Sequence, residues 1–198
     1  TVGGVTSTGV INNTLTAALI ETATITNIQS AGDVAARTVG VTSADLTTVT
    51  VVSSGLAPVT LSGGGVALTE IDASGVGGVF ANTATTATAG VKITSGAGND
   101  ALTGSPGVDT LIGGAGTDTI TGAAGIDTLT GGAGVDTFAY AANVGGTVIS
   151  TLASPDVITD FVSGTDKLAI TQTNVAFLGN YGTLASAQAA AAVDGRQN

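Results

Sequence analysis

The chain has 198 residues and a formal net charge of −10, from 14 acidic and four basic side chains, and it contains no His, Cys, Met or Trp. So few bases make nucleic acid a poor partner. Without His or Cys, neither a Ser-His-Asp triad nor a His-ligated zinc site can be assembled, and we expect no enzyme activity. Six aromatics provide no stacking platform for bases or sugars, and no apolar run approaches the ~20 residues of a membrane span. Twelve of the 14 acids are Asp, many of them in turn-like stretches, which points the acidity at metal rather than at solvated helix faces. The chain starts at Thr1 with no Met and no charged-then-apolar leader, and we read it as a piece of a larger protein.

Residues 1–94 are rich in Thr, Val, Ala, Gly and Ser, with Gly and Asn punctuating short β-prone runs: ETATITNI from Glu21, LTTVTVV from Leu46 and LTEIDASGV from Leu68. The last two align at an offset of 22, Leu46-Thr-Thr-Val49 upon Leu68-Thr-Glu-Ile71, and Glu21–Ile25 is a looser relative. Such spacing suits one strand per coil of a parallel β-helix, while an antiparallel sandwich uses the same short strands. Gly77–Asn82 stands 18 residues before Ser95–Asp100, with Asn82 where an Asp of the following repeats falls. That placement suits either a decayed turn or a chance Gly-Gly pair.

Residues 95–139 are five gapless copies of one nine-residue phrase: SGAGNDALT, GSPGVDTLI, GGAGTDTIT, GAAGIDTLT and GGAGVDTFA. Each has a Gly-rich half, an Asp at its sixth place (Asp100, Asp109, Asp118, Asp127, Asp136) and an apolar residue at its eighth (Leu102, Leu111, Ile120, Leu129, Phe138). Gly permits the tight turn. The alternating ending reads as a very short strand with its apolar residue inward and Thr103, Thr110, Thr119 and Thr128 outward. One copy is thus half a coil, and copies one, three and five stack their turns on one edge, two and four on the other. Strands stack ~4.8 Å apart, and two carboxylates at ~5 Å repel by about 3 kcal/mol at an effective dielectric of ~20. No Lys or Arg lies between Ser95 and Ala139. Carboxylates and turn carbonyls form an oxygen-only donor set, which suits Ca²⁺ with its 6–8 flexible ligands better than Mg²⁺.

These residues resemble the G-G-x-G-x-D-x-U-x nonapeptide of RTX (repeat-in-toxin) proteins, a calcium-binding β-roll family. The resemblance implies a calcium ion between successive same-edge turns. The first turn donates the carbonyls of its second and fourth places and its Asp; the next donates those of its first and third places and its Asp. One implied site is Gly96, Gly98 and Asp100 with Gly113, Ala115 and Asp118. A second is Ser105, Gly107 and Asp109 with Gly122, Ala124 and Asp127, and a third is Gly114, Gly116 and Asp118 with Gly131, Ala133 and Asp136. Copies two and four depart from the phrase, with Ser105-Pro106 and Ala123-Ala124 where Gly is usual.

Residues 140–198 begin a different pattern. Asp156-Val-Ile-Thr-Asp160-Phe161, then Gly164-Thr-Asp166-Lys167-Leu168, resembles the segment that follows the repeats in secreted RTX enzymes and surface-layer proteins, and we expect it to cap the roll. Asp156, Asp160 and Asp166 suit a further cation or turn capping equally. Thr183–Val193 is Ala-rich and reads as a short helix. RTX proteins carry a C-terminal export signal, so the resemblance implies that more chain follows.

The fold expected is therefore all-β: a parallel β-helix or β-roll solenoid with a calcium-binding RTX roll and a short C-terminal helix. The three regions are a Thr/Val/Gly-rich β region (1–94), the roll (95–139) and a cap (140–198). The function expected is a calcium-binding structural module of a secreted bacterial cell-surface protein resembling RTX-type S-layer proteins, self-associating into a surface array. An adhesin stalk and the non-catalytic C-terminal domain of a type I-secreted metalloprotease or lipase are the alternatives. Thr119-Ile-Thr121 and Thr128-Leu-Thr130 on successive coils also suggest a Thr ladder of the kind found on ice-binding faces.

Overall fold

The computed structural model describes residues 5–7, 12–16, 21–27, 35–83, 86–140 and 155–170. They contain sixteen strands: β1 (Val5–Ser7), β2 (Asn12–Thr16), β3 (Thr22–Asn27), β4 (Arg37–Thr42), β5 (Thr48–Ser53), β6 (Val59–Gly63), β7 (Glu70–Val76) and β8 (Phe80–Asn82), then β9 (Lys92–Thr94), β10 (Ala101–Thr103), β11 (Thr110–Gly116), β12 (Thr119–Thr121), β13 (Thr128–Gly134), β14 (Thr137–Tyr140), β15 (Val157–Ile158) and β16 (Lys167–Ile170). The odd-numbered strands form one eight-stranded sheet and the even-numbered ones another, each in chain order. Every described pairing is parallel, which makes the molecule a flattened solenoid and sets the antiparallel sandwich aside. Each coil holds two strands, not the one expected for residues 1–94. The three runs picked out there all belong to the odd sheet. Their even partners β4 and β6 carry Gly40, Ser62 and a buried Arg37, which blur the apolar alternation.

Register sets the width of the coils. Thr48 pairs with Glu70 and Glu70 with Lys92, steps of 22 residues that contain the expected Val49 upon Ile71. From Lys92 to Thr110 and from Thr110 to Thr128 the step is 18, two copies of the repeat per coil. The inner face of the odd sheet is one unbroken column: Ala23, Val49, Ile71, Ile93, Leu111 and Leu129, with Ile158 beyond it. The even sheet supplies Leu102, Ile120 and Phe138. The five eighth-place residues are at most 1% exposed, and full burial of each contributes roughly 1.5–3 kcal/mol. Thr119 is exposed and Thr103, Thr110 and Thr128 are half-buried, all on the outer faces. Thr119–Thr121 lies in the even sheet and Thr128–Thr130 in the odd one, so these two Thr pairs face opposite ways and do not form one ladder.

The 18-residue phasing of Asn82 with Asp100 is corrected. Ala81 pairs with Ala101, twenty residues on, so Phe80 stands at the position of Asp100. The path from Phe80 to Val91 is two residues longer than that from Asp100 to Asp109, which shifts the register. Asn82 instead points inward in line with Leu61, where its Oδ1 accepts from Thr103 N (3.0 Å) and its Nδ2 donates to Thr103 O (2.7 Å). The segment 155–170 adds the last strand to each sheet. The expected helix at Thr183–Val193 lies outside the described residues.

Candidate metal centre

The turns that lead from the odd to the even sheet carry Asp100, Asp118 and Asp136; those that lead back carry Asp109 and Asp127. We call these the first and the second edge. The sheets stack so tightly that each Asp is at most 2% exposed. Burying a carboxylate demands partners, and half of them come from the backbone. Each Oδ1 accepts the amide of the residue one coil earlier: Asp118 from Asp100 N (2.8 Å), Asp136 from Asp118 N (3.0 Å) and Asp127 from Asp109 N (2.9 Å). The ladders begin where Phe80 N and Val91 N donate to Asp100 and Asp109.

The other oxygens are different. Oδ2 of Asp100, Asp118 and Asp127 is buried with no hydrogen-bond partner. At the first place of each later turn, Gly113, Gly122 and Gly131 leave to the Oδ2 of Asp118, Asp127 and Asp136 the space a Cβ would fill. Electrostatics follow from this confinement. Burial, opposed by the backbone bonds and reinforced by the neighbouring carboxylates, pushes Asp118 up to about 6 and Asp127 up to about 7. Burial likewise raises Asp100 and Asp109. The ion pair between Lys92 and Glu70 (3.3 Å) sits on the outer face and relieves none of this.

Carbonyls complete the donor set. On the first edge those of Gly96 and Gly98 aim along the stack onto Gly114 and Gly116, and those of Gly114 and Gly116 onto Gly132 and Gly134. On the second edge Gly107 O aims at Gly125 in the same way. From the following coil, Gly131 O points back onto Gly113 and Gly122 O onto Gly104, while Gly113 O accepts the Ser95 hydroxyl (2.5 Å). On the first edge the second-place and fourth-place carbonyls of one turn and the first-place carbonyl of the next thus lie along one stack of turns; on the second edge Gly107 O and Gly122 O do so. The third-place residues Ala115 and Ala133 pair with each other in the strand ladder, and Ala115 N donates to Gly96 O (2.9 Å). Ala124 is half-buried in the next turn of the second edge. Among the described residues no three acidic side chains converge, so a cation here needs two Asp and the carbonyls. Unpartnered buried oxygens beside hard donors fit calcium.

The RTX calcium-binding nonapeptide repeat family model matches the chain in four overlapping stretches, residues 77–111, 87–120, 94–129 and 112–142. The described residues of this stretch carry RTX nonapeptide repeats folded as a β-roll. No curated protein and no solved structure matches the chain.

Both ladders of the RTX roll run on past the repeats. Asp156 Oδ1 accepts Asp127 N and Asp166 Oδ1 accepts Asp136 N, each at 3.0 Å. Asp160 takes Gly131 N (2.9 Å) and Gly132 N (2.7 Å). The three cap carboxylates therefore close open backbone groups of the last coils. Sequence spacing could not phase Asp156 and Asp166, because the steps to them are 29 and 30 residues instead of 18. The signal available was the Asp-x-Ile-x-Asp pattern, which places Asp156 just ahead of an inward Ile158.

Proposed function

We propose that this chain is a non-catalytic structural module of a secreted bacterial cell-surface protein of S-layer type, in which calcium orders the roll and supports assembly into an array. RTX nonapeptide repeats bind calcium and occur in secreted bacterial proteins. The observation that carries the proposal is the set of buried, unpartnered Asp oxygens on stacked turns with no basic side chain between Ser95 and Ala139. Asp100 with Asp118, Asp109 with Asp127 and Asp118 with Asp136 would each hold one ion together with the carbonyls between them. Bound there, calcium supplies the positive charge that the roll lacks. Among the described residues no helix is long and apolar enough to cross a membrane.

Circular dichroism of the whole chain during calcium titration tests the proposal. We expect added β signal with a midpoint of ~0.1–1 mM, the range of extracellular calcium modules, and little response to magnesium at the same concentration. A spectrum and a melting temperature indifferent to both calcium and chelator overturn it. Sedimentation velocity tests the assembly: calcium-dependent growth beyond the monomer is expected, and a monomer at every calcium concentration removes the array.

A further inference from the structure

The two edges of the roll are not built alike. On the first edge the turns of Asp118 and Asp136 continue as strand, β11 and β13 pairing as far as Gly116 with Gly134. Gly114 and Gly132 there take φ values of 104° and 102°. On the second edge Ser105 and Ala123 stand at the same place of the phrase. Ser105 is fully buried; its N–H donates to Asp109 Oδ2 (2.6 Å) and its hydroxyl to Asp109 Oδ1 (2.7 Å). Val91 N also reaches Oδ1 (2.6 Å), and Gly107 N donates to the Ser105 Oγ (3.0 Å). Both oxygens of Asp109 are therefore satisfied by the protein, whereas Asp100, Asp118 and Asp127 each keep a buried oxygen with no partner. Pro106 has no N–H and so cannot repeat the bond that Ala115 N makes to Gly96 O on the first edge.

We propose that Ser105 is a positioning residue that holds Asp109 as a cation would, so that Asp109 is set without metal and the site it shares with Asp127 takes up calcium more weakly than those of the first edge. The inference rests on the calcium-binding role proposed above. A ligand already bound by two charge-assisted hydrogen bonds must release or share them to coordinate an ion. The first edge has nothing to release at Asp118 Oδ2. The roll then responds to calcium in two phases, a tight one at Asp100, Asp118 and Asp136 and a weak one at Asp109 and Asp127.

Isothermal titration of the whole chain with calcium chloride tests this. Wild type should show two phases. Ser105→Gly, which restores the phrase, should move the weak phase to about tenfold lower calcium, the size of one charge-assisted hydrogen bond. It should also lower order in chelator. Ser105→Ala, like the glycine variant, keeps the backbone N–H to Asp109 Oδ2 and loses only the hydroxyl bond to Oδ1; it should move the weak phase in the same direction, giving a readout if the glycine variant folds poorly. Asp118→Asn should remove the tight phase and Asp109→Asn the weak one. Calcium bound in one phase, with Ser105→Gly and Ser105→Ala unchanged, overturns the role of Ser105 and leaves the calcium reading standing. No calcium bound by wild type overturns both.

Discussion

Between Arg37 and Val76 the strands turn at least two apolar side chains inward: Val49 and Val51 in β5, Val59 and Leu61 in β6, Ile71 and Ala73 in β7. From Ala101 to Phe138 they turn in one fully buried apolar side chain, Leu102, Leu111, Ile120, Leu129 or Phe138. The sheets are continuous across this change, since β9 pairs with β7 on one side and β11 on the other. Four residues fewer per coil remove the second apolar column, and a buried carboxylate joins the turn beside it. A wide coil rests on burial; a narrow one has too little to bury and needs its Asp ladders neutralised. One continuous pair of sheets thus contains a half that ought to be indifferent to calcium and a half that ought to depend on it.

The strongest way to break this comparison is to remove calcium and follow hydrogen exchange along the chain. Amides of residues 101–140 should lose protection in chelator while those of 37–63 keep it; uniform loss or uniform retention contradicts the distinction. Core truncation is the next largest effect. Leu111→Ala and Leu61→Ala delete the same atoms, at a cost of about 2–5 kcal/mol. The roll variant should fall at the upper end and the wide-coil variant at the lower, by urea unfolding in calcium. Removing ligands is gentler. At ~1 mM calcium and a Kd of ~0.1–1 mM each independent site contributes about 0.4–1.4 kcal/mol. Asp118→Ala removes a ligand of two proposed sites and Asp109→Ala of one, so the former should raise the calcium midpoint more; equal midpoints count against the sharing.

Acidity gives opposite signs with and without metal. Asp118 and Asp127, near 6 and 7 in the fold against 3.8 in the unfolded chain, hold protons that the unfolded chain has released. In chelator, stability should therefore fall as pH rises from about 4 to about 7 and level off above. In calcium the ligands must be deprotonated, and acidification through the same window should destabilise. Melting temperatures at pH 5 and pH 8 in both solutions check the crossing. The smallest effect is at Ala123, which holds φ = 76°, where a Cβ costs about 1–2 kcal/mol and glycine is at ease. Ala123→Gly should stabilise the roll by about 1 kcal/mol in thermal unfolding, offset in part by the freer unfolded chain.

The roll was legible because its period is strict. Every inward residue, the two-edge arrangement and the stacking of same-edge Asp follow from nine-residue spacing alone. The wider coils were half legible. Leu46–Val49 upon Leu68–Ile71 gave the odd sheet, but β4 and β6 escaped notice, since Arg37 and Gly40 interrupt the alternation that marks a strand. Asn82 was misphased because a two-residue insertion between Phe80 and Val91 is invisible in a count that assumes 18. Asp156 and Asp166 stand out in sequence by their pattern, yet their places in the ladders depend on steps of 29 and 30 residues that an 18-residue spacing cannot give. Ser105 departs from the phrase in sequence; that its hydroxyl faces Asp109 is a fact of three dimensions.

Every rung of both ladders reaches backward along the chain. Asp118 closes the amide of Asp100, Asp136 that of Asp118, and Asp127 that of Asp109. Each coil therefore completes the one before it and leaves its own Asp amide to be closed by the next. A roll shortened to end between Asp118 and Asp136 would leave an open rung on each edge. The last amides, those of Asp127 and Asp136, are taken by Asp156 and Asp166. The cap thus ends both ladders, and a roll without it would present two open backbone amides at its last coil.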